Sequence, residues 1–455
     1  MARTPIALAF FLVLLVAGRA AAEGVPKAVE LPQQLSLDQA TEILRTRSLD
    51  LLIAEAAVRN AEGDESVAGA VPNPALGLGY GRVLPPYNPD QNGPPVAGSP
   101  SPSRAACPGC SANEYTASLS DQAAVEDSLS GKRTLRLKVA RAALAAAKLS
   151  RSDALRTLEF QVKAAYAAVA QAQRAMAFSR ENQATNVKTV QLFEIRLKSG
   201  AINEGDLARV ETQKLEADQA VDQANVALRQ ARVALAFLLG VRGPAPEFTV
   251  DDKVLDYSVP TALAGAQLDA LLRTAFEHRA DLLAQGYQRA SAEAAIALAK
   301  RQRFPDITLS AQYTQIGVDQ NAIQPPTLSF SVSAPIPVFY QQQGEIRKAE
   351  ANYDTQSLEQ AKTTALVVSD VSAAMAGFES WRTLVERMEQ QLRPSAERAF
   401  AITRLQYDKG AATLMDFLDA QRTYIATNVE YLQDLTNYWT AVFQLEQAIG
   451  MELHR

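Results

Sequence analysis

The chain has 455 residues, a formal net charge of −5 and a charged fraction of 21%. Acidic and basic residues are interspersed, so no phosphate-binding surface is predicted and nucleic acid is not expected as a partner. With two histidines and two cysteines, the sequence indicates no catalytic constellation, metal site or cofactor, and an enzyme is not expected. The bias towards Ala, Leu, Gln, Glu and Arg is typical of long helices.

The N-terminal residues predict export from the cytoplasm. Arg3 precedes an apolar stretch over residues 6–16, and a run of three alanines precedes Glu23. This order is that of a secretory signal peptide, here residues 1–22. No later stretch supplies the ~20 uninterrupted apolar residues that a membrane-spanning helix needs. Any membrane insertion is therefore expected to use strands.

Two parts of the chain match each other without gaps, which predicts an internal duplication. The matching segments are 37–78 with 268–309 and 197–240 with 407–450. Shared heptad composition is the alternative explanation, but proline and glycine positions align as well. The predicted division is structural repeat 1 over 37–240, a linker or equatorial segment over 241–265, and structural repeat 2 over 268–450.

Period-two alternation of apolar with small polar residues predicts four strands. They lie near residues 76–80, 115–120, 307–314 and 328–338. Asp121 falls on the apolar side of the second strand, so that strand is expected to end early, to bulge, or to place Asp121 near an interface. A soluble sheet packed on helices is one interpretation. The other is a membrane barrel, which requires several chains because bacterial barrels need at least eight strands.

Two further segments are interpreted from composition. Residues 84–113 are rich in Pro, Gly and Ser and interrupt a strand pair, so they are expected to form an extracellular loop. Cys107 and Cys110 lie within this loop rather than at a strand-to-helix turn, and a local disulfide or inert thiols are favoured over redox or metal chemistry.

Long helices fill most of the remaining chain. Residues 131–199 lack proline and interior glycine, which predicts one helix of about 100 Å. Apolar residues then recur in sevens from Leu207, and the same register in repeat 2 carries a tyrosine stripe interpreted as core packing. The basic residues near the start of the first long helix are interpreted as a solvated face; they are Lys132, Arg133, Arg136, Lys138 and Arg141.

A glycine turn followed by an aspartate occurs at the same place in both repeats. In repeat 2, Tyr407-Asp408-Lys409-Gly410 precedes Met415-Asp416-Phe417-Leu418-Asp419-Ala420-Gln421, and repeat 1 has its version at 200–206. With the duplicated strand-hairpin and long-helix unit, this motif resembles the TolC-like outer-membrane efflux family over nearly all of the mature chain. The resemblance is slightly closer to its heavy-metal cation branch than to drug ducts.

The resemblance implies a mainly α fold with transmembrane β-strands. Three chains would form a homotrimer with a 12-stranded β-barrel in outer-membrane lipid, continuous with a periplasmic α-helical coiled-coil tunnel. The implied function is passive conduction of metal cations or small organic toxicants, with a periplasmic adaptor and an inner-membrane pump of the resistance-nodulation-division type as partners. The alternatives are a coiled-coil scaffold or adaptor, and a thiol oxidoreductase.

The motif also implies where the channel is gated. Gly200, Gly410 and Tyr407 would lie at the periplasmic tips, and Asp416 with Asp419, three residues apart on one helix face, would form a selectivity ring. Asp206 is the equivalent of Asp416 in repeat 1, and Arg209 is expected to pair with a neighbouring helix. The alternative is that these aspartates only cap helices. Two departures from the family pattern are Ala412, where some relatives have a basic residue, and the lack of a cysteine for acylation near Glu23.

Overall fold

A computed structural model of the protein describes residues 30–82, 113–316 and 326–453. The predicted signal peptide, the predicted extracellular loop up to residue 112, and the pair Cys107 and Cys110 lie outside these residues. Of the described residues, most belong to helices, as the composition predicts. The helices are α1 Leu37–Arg47, α2 Leu49–Gly69, α3 Ala124–Leu129, α4 Lys132–Lys198, α5 Glu204–Leu238, α6 Leu268–His278, α7 Ala280–Arg301, α8 Gln343–Arg387, α9 Arg393–Asp408 and α10 Leu414–Ile449.

Helix α4 is the longest element of the described chain, with 67 residues, and its bounds confirm the helix predicted over 131–199. It packs against α5, with which it forms a hairpin, and against α2, α7 and α10. Helix α10 packs in turn against α8 and α9. The result is two long helical hairpins side by side, which are joined along α4 and α10.

The core runs along this junction and confirms the packing predicted for the aromatic stripe. Tyr438 is fully buried, Tyr431 is nearly so, and Phe443 and Leu445 lie in the same cluster. Tyr438 contacts Phe378 of α8 with ring centroids 5.9 Å apart. The core positions of α10 thus carry large aromatic side chains, whereas the heptads of α5 carry small alanines.

A short π-helical segment, Met388–Leu392, connects α8 to α9 without a turn. Pro394 lies in the first turn of α9. Because proline has no N–H and its ring clashes with the carbonyl four residues earlier, the widened turn accommodates it within an otherwise continuous helix.

The segment 241–265 packs on the middle of α4. It contains strand β4 Thr249–Val250, which pairs in parallel with β1 Gln34–Leu35, and the 3₁₀ turns Asp252–Leu255 and Thr261–Leu263. The Tyr166 hydroxyl of α4 donates to the Leu35 carbonyl at 2.8 Å and accepts from the Asp251 N–H at 2.9 Å. Burial raises the pKa of this phenol to about 12. One buried tyrosine thus fixes both chain segments to the long helix.

The other four strands form one antiparallel sheet in the order β2-β3-β5-β6. They are β2 Ala75–Arg82, β3 Asn113–Ser120, β5 Thr308–Ile316 and β6 Thr327–Ser333. Strand β3 of the first half pairs with β5 of the second, for example Leu119 with Ala311. The four predicted strands are confirmed, and strands from both halves make one sheet.

Two strand ends differ from or refine the prediction. Strand β6 was predicted to run to residue 338, which is wrong, since it ends at Ser333. Pro335 and Pro337 follow and cannot donate to a ladder. Strand β3 ends at Ser120, and the Asp121 carboxylate accepts the Leu309 N–H at 2.8 Å. Of the three expectations for Asp121, the early strand end is confirmed, and its position near an interface stays a prediction.

Both halves make the same contact where their last helix ends. Gly240 follows α5 with a positive φ and lies against the Arg47 carbonyl at the end of α1. Gly450 follows α10 with a positive φ and lies against the His278 carbonyl at the end of α6. This recurrence supports the predicted duplication.

Candidate functional site

The two glycine turns of the motif have one geometry. Gly200 and Gly410 both have φ +74, a left-handed conformation that favours glycine. The Gly200 N–H donates to Leu197 at 2.9 Å and the next N–H to Arg196 at 2.9 Å; around Gly410 the equivalent distances are 3.0 and 2.8 Å. These are the paired hydrogen bonds of a Schellman C-cap. Each turn therefore reverses the chain at the end of a long hairpin.

Asp416 closes a capping box at the start of α10. Its Oδ2 accepts the Thr413 hydroxyl at 2.6 Å and the Thr413 N–H at 3.0 Å, while its own N–H donates to Thr413 Oγ1 at 3.2 Å. The Thr413 hydroxyl, followed by its N–H, holds the pKa of this carboxyl below its ordinary value. Within one chain, Asp416 therefore acts as the helix cap that the alternative interpretation expected. Its carboxylate is ionised, and its Oδ2 already accepts two hydrogen bonds from Thr413.

Asp419 differs from Asp416 although it lies one turn further along the same helix. Its side chain is exposed and makes no hydrogen bond or ion pair with the rest of the described chain. Asp206 at the start of α5 pairs with Arg209 of the same helix, with 3.5 Å between Nη1 and Oδ1. Within one chain, Arg209 thus has an intrahelical partner rather than the neighbouring helix that was expected.

An aromatic cluster behind the turns joins the two hairpins. The Phe193 and Tyr407 rings stack with centroids 6.0 Å apart and an interplanar angle of 6°, and Tyr407 stacks on Phe417 at 5.3 Å. The Arg196 guanidinium lies over both Phe193 and Tyr407, and its Nη1 donates to the Tyr407 hydroxyl at 3.3 Å. Burial raises the pKa of the Tyr407 phenol, and Arg196 opposes that shift.

The sequence identified Tyr407 and Phe417 but not their partners Phe193 and Arg196. Phe193 and Arg196 lie three residues apart on α4, just before Gly200, so they share a helix face that points at the other hairpin. An aromatic and a basic residue at that spacing before a C-cap glycine was the available signal. The cluster is separate from the main core and includes Val210, Leu414 and Leu418.

The sheet presents two open faces. Leu78, Ala117, Tyr313 and Leu328 form one cross-strand row of the apolar face, and Leu78 is 77% exposed. Serine, threonine, glycine and glutamine line the opposite face. No helix of the described chain makes an extensive contact with this sheet. A soluble sheet packed on helices is therefore the wrong interpretation.

The basic residues at the start of α4 correct another prediction, because they are not all a solvated face. Lys132 is 6% exposed, and its Nζ lies 2.6 Å from Asp306 Oδ1 and 3.2 Å from Glu126 Oε1. Arg136 donates two hydrogen bonds to the buried Asp127 carboxylate, at 2.6 and 2.7 Å. These ion pairs tie the base of the sheet to the top of the helices. Lys138 is exposed as predicted.

Comparison with known proteins decides the family. The outer membrane efflux protein family matches residues 41–241 and 271–451. The chain belongs to this family. It is accordingly the outer-membrane channel component of an efflux system, with its sheet in the outer membrane and its helical tunnel in the periplasm. The family consists of transport channels rather than enzymes.

Individual relatives match most of the chain at low identity. The chain is 22% identical to the cobalt-zinc-cadmium resistance protein CzcC of Cupriavidus metallidurans, over 71% of this chain and 74% of that protein. It is 26% identical to the pyoverdine export outer membrane protein OpmQ of Pseudomonas aeruginosa, over 96% and 89%. The crystal structure of the outer membrane protein VceC from Vibrio cholerae matches with a TM-score of 0.68 and 21% identity, covering 92% of this chain and 96% of that chain.

Two features are absent from the described residues. None of their helices combines the length and apolar character needed to cross a membrane. Their His, Cys, Asp and Glu side chains nowhere gather in a group of three that could hold a metal ion.

Proposed function

We propose that three copies of the chain close a 12-stranded barrel and pool their helices into one periplasmic tunnel. The observation that carries this proposal is the four-stranded sheet with open edges at β2 and β6 and an uncovered apolar face. In a bilayer, unpaired strand edges are too costly to persist, so the edges must pair with those of other copies. Neighbouring strands alternate in direction, so β6 of one copy would meet β2 of the next in antiparallel fashion.

The oligomer is tested on protein extracted from outer membranes in mild detergent. Light scattering corrected for bound detergent is expected to give three chains per particle, and cross-linking is expected to end at trimers. A monomer that stays in solution without detergent would contradict the barrel.

The location of such a channel in the outer membrane indicates which partners it needs. We infer that it conducts passively and receives substrate from a periplasmic adaptor and an inner-membrane pump of the resistance-nodulation-division type. The tips at Gly200 and Gly410 are the natural docking point for the adaptor, since they end both hairpins on the same side. Cross-linking from residues beside these turns should capture an adaptor, whereas capture only at the barrel base would contradict this arrangement.

For substrates we propose metal cations or small organic toxicants. The names of relatives point both ways, with cobalt, zinc and cadmium resistance for CzcC and solvent efflux for SrpC of Pseudomonas putida. Deletion of the gene, with growth measured against these cations and against solvents, separates the two classes. Unchanged sensitivity to both would exclude them.

We further propose that Asp419 is the carboxylate most free to turn towards the axis of the periplasmic gate, with Asp416 and Asp206 beside it. Threefold symmetry would gather these carboxylates around one axis, where they attract cations and narrow the pore. Asp419 is favoured because Asp416 and Asp206 already have partners within the chain.

Single-channel recording in planar bilayers tests the gate. Asp416→Ala with Asp419→Ala is expected to raise the conductance or weaken block by multivalent cations, and Asp419→Ala alone should give most of that effect. Wild-type conductance and block together with lower thermal stability would mean that the aspartates are only helix caps.

A further inference from the structure

A cavity of about 480 Å³ lies where the two hairpins meet the segment 241–265. Four parts of the chain form its walls: Arg174 of α4, Asp256 of that segment, Glu389 and Arg393 at the π-helical turn, and Tyr431 of α10. Small-molecule sites in proteins have volumes of about 300–1,000 Å³. The cavity is therefore large enough to hold a small organic ligand.

This cavity has an apolar floor and a charged mouth. Leu255, Leu435 and Tyr431 are buried, so their side chains form its closed end. Asp256 and Arg393 are exposed, so they lie at its opening. A molecule with an apolar body and a charged end matches this arrangement.

The charged groups of the mouth differ in whether they already have partners. Arg174 donates from Nε to Asp252 at 3.0 Å and from Nη2 to Asp256 at 2.6 Å. Glu389 and Arg393 have no such partner, because no ion pair of 4.0 Å or less joins either of them to another group of the described chain. The cavity thus offers one carboxylate and one guanidinium that are available to a ligand.

The π-helical segment explains why these two charges stay apart. In an α-helix, residues 389 and 393 would share a face, where opposite charges four residues apart pair. A π-helical turn closes i→i+5 hydrogen bonds, which offsets that spacing, and Glu389 lies within Met388–Leu392. Helix α4, the equivalent helix of the first half, is α-helical throughout. The segment that accommodates Pro394 therefore also keeps both charges available, and it does so in the second half only.

We propose that this cavity binds a small amphoteric organic molecule with an apolar body. The carboxylate of the ligand accepts hydrogen bonds from Arg393 in the bidentate geometry that a guanidinium favours, and its ammonium group donates to Glu389. Its apolar body lies on the floor formed by Leu255 and Leu435. A ligand with only one of these charges leaves the other group without a partner. The proposal goes beyond conduction and does not rest on the trimer, because one chain supplies all the lining residues.

Isothermal titration calorimetry on the full-length protein in detergent tests the site with three probes of one shape. Phenylalanine carries both charges at neutral pH, N-acetylphenylalanine carries only the carboxylate, and phenylalaninamide carries only the ammonium group. Titrations into detergent alone are subtracted. Phenylalanine is expected to bind at least about tenfold more tightly than either analogue, since each analogue loses one charge-assisted contact.

Two substitutions assign each charge of the ligand to its residue. Arg393→Gln should weaken the binding of phenylalanine and N-acetylphenylalanine by about tenfold and leave phenylalaninamide unchanged. Glu389→Gln should weaken phenylalanine and phenylalaninamide and leave N-acetylphenylalanine unchanged. Arg398→Gln and Glu397→Gln, at exposed positions of α9 outside the cavity, are the matched controls and should leave all three affinities unchanged.

Four outcomes would overturn the proposal. They are no binding of any probe, equal binding of all three, tighter binding of N-acetylphenylalanine than of phenylalanine, and losses in the α9 controls as large as those at the cavity. A monomer in the light-scattering experiment would contradict the trimer and leave these titrations valid, so the two failures are distinguishable.

Discussion

Lys132 ties α3 and the start of α4 to the segment before β5, which lies 172 to 174 positions away. Its Nζ binds Glu126, Asp306 and the Phe304 carbonyl, the last at 2.8 Å. Lys132→Met would leave these acceptors without their cation and should destabilise the protein by about 2 kcal/mol, less than the ~3–5 kcal/mol of a fully buried pair, because Asp306 is 66% exposed. Denaturant unfolding in detergent measures the change. Lys138→Met, on the exposed side of the same helix, is the control and should have little effect.

Asp306 makes this cluster sensitive to acid. The hydrogen bond from Lys132 lowers the pKa of its carboxyl from the ordinary 3.8. A lowered pKa means that the ion pair contributes its full stability above the ordinary value and loses it as the pH falls through the lower one. We expect Asp306→Asn to be less stable than the unsubstituted protein at neutral pH and to approach it below about pH 3.8. Thermal midpoints measured from pH 7 to pH 3 check this, and a constant difference would contradict it.

Single-residue roles were predictable from sequence only where the partner is local. The cap at Asp416 was foreseen as an alternative because carboxylates are favoured at a helix N-terminus, and its partner Thr413 lies only three residues away. The burial of Lys132 was not foreseen, since Asp306 is 174 positions away. The link between Arg196 and Tyr407 spans 211 positions, and no helical spacing shows which residues of two hairpins will meet.

Among the elements, the two hairpins are joined at their tips by the aromatic cluster. Phe193 is buried at its centre, so Phe193→Ala should cost about 3 kcal/mol of local packing. Because this cluster is separate from the main core, the tips should loosen while the rest of the tunnel stays folded. Hydrogen exchange should therefore rise around residues 190–202 and 404–418 only. Leu192→Ala, at an exposed neighbouring position, is the control, and uniform exchange along α4 would contradict the separation.

Replacing the glycines that follow helices is expected to cost different amounts of stability, depending on the atoms around each glycine. A Cβ at Gly200 would meet open space, so Gly200→Ala should cost only the ~1–2 kcal/mol of a left-handed alanine. A Cβ at Gly240 would lie 2.7 Å from the Arg47 carbonyl oxygen, so Gly240→Ala must also move backbone and should cost more. Denaturant midpoints rank the two variants. A smaller loss at Gly240 would contradict the contact between α5 and α1.

Element types and bounds were largely predictable because helix and strand periods are local. The bounds of α4 follow from the glycines on either side, Gly131 and Gly200, and the alternation near residue 309 gives β5. The excess length predicted for β6 has a physical cause. The alternation continues to Val338 because those side chains stay uncovered, although the prolines have already ended the ladder.

In the whole molecule, a sheet with an uncovered apolar face adjoins helices with a buried core. The sheet therefore suits lipid, and the helices suit water. The sequence predicts this division through the small polar face of the strands and the heptads of the helices. It cannot specify how distant segments of the chain dock on one another, because the contacts at Lys132, Tyr166 and Gly240 each join residues far apart in the chain. The trimer and the gate stay predictions for the same reason, as both depend on residues of other copies.

The orientation of the sheet is tested by one charge placed on either face. Leu78→Arg puts a cation on the apolar face, where an arginine near the bilayer midplane costs about 2–4 kcal/mol. Less of this variant should reach the outer membrane as a heat-resistant oligomer. Gln312 lies on the opposite face, paired with Ser118 and Ser329, so Gln312→Arg should assemble normally. Because three added cations would then line the pore, reversal potentials in a salt gradient should shift towards anions. The reverse pattern, with assembly lost at 312 and selectivity changed at 78, would mean that the apolar face points into the channel.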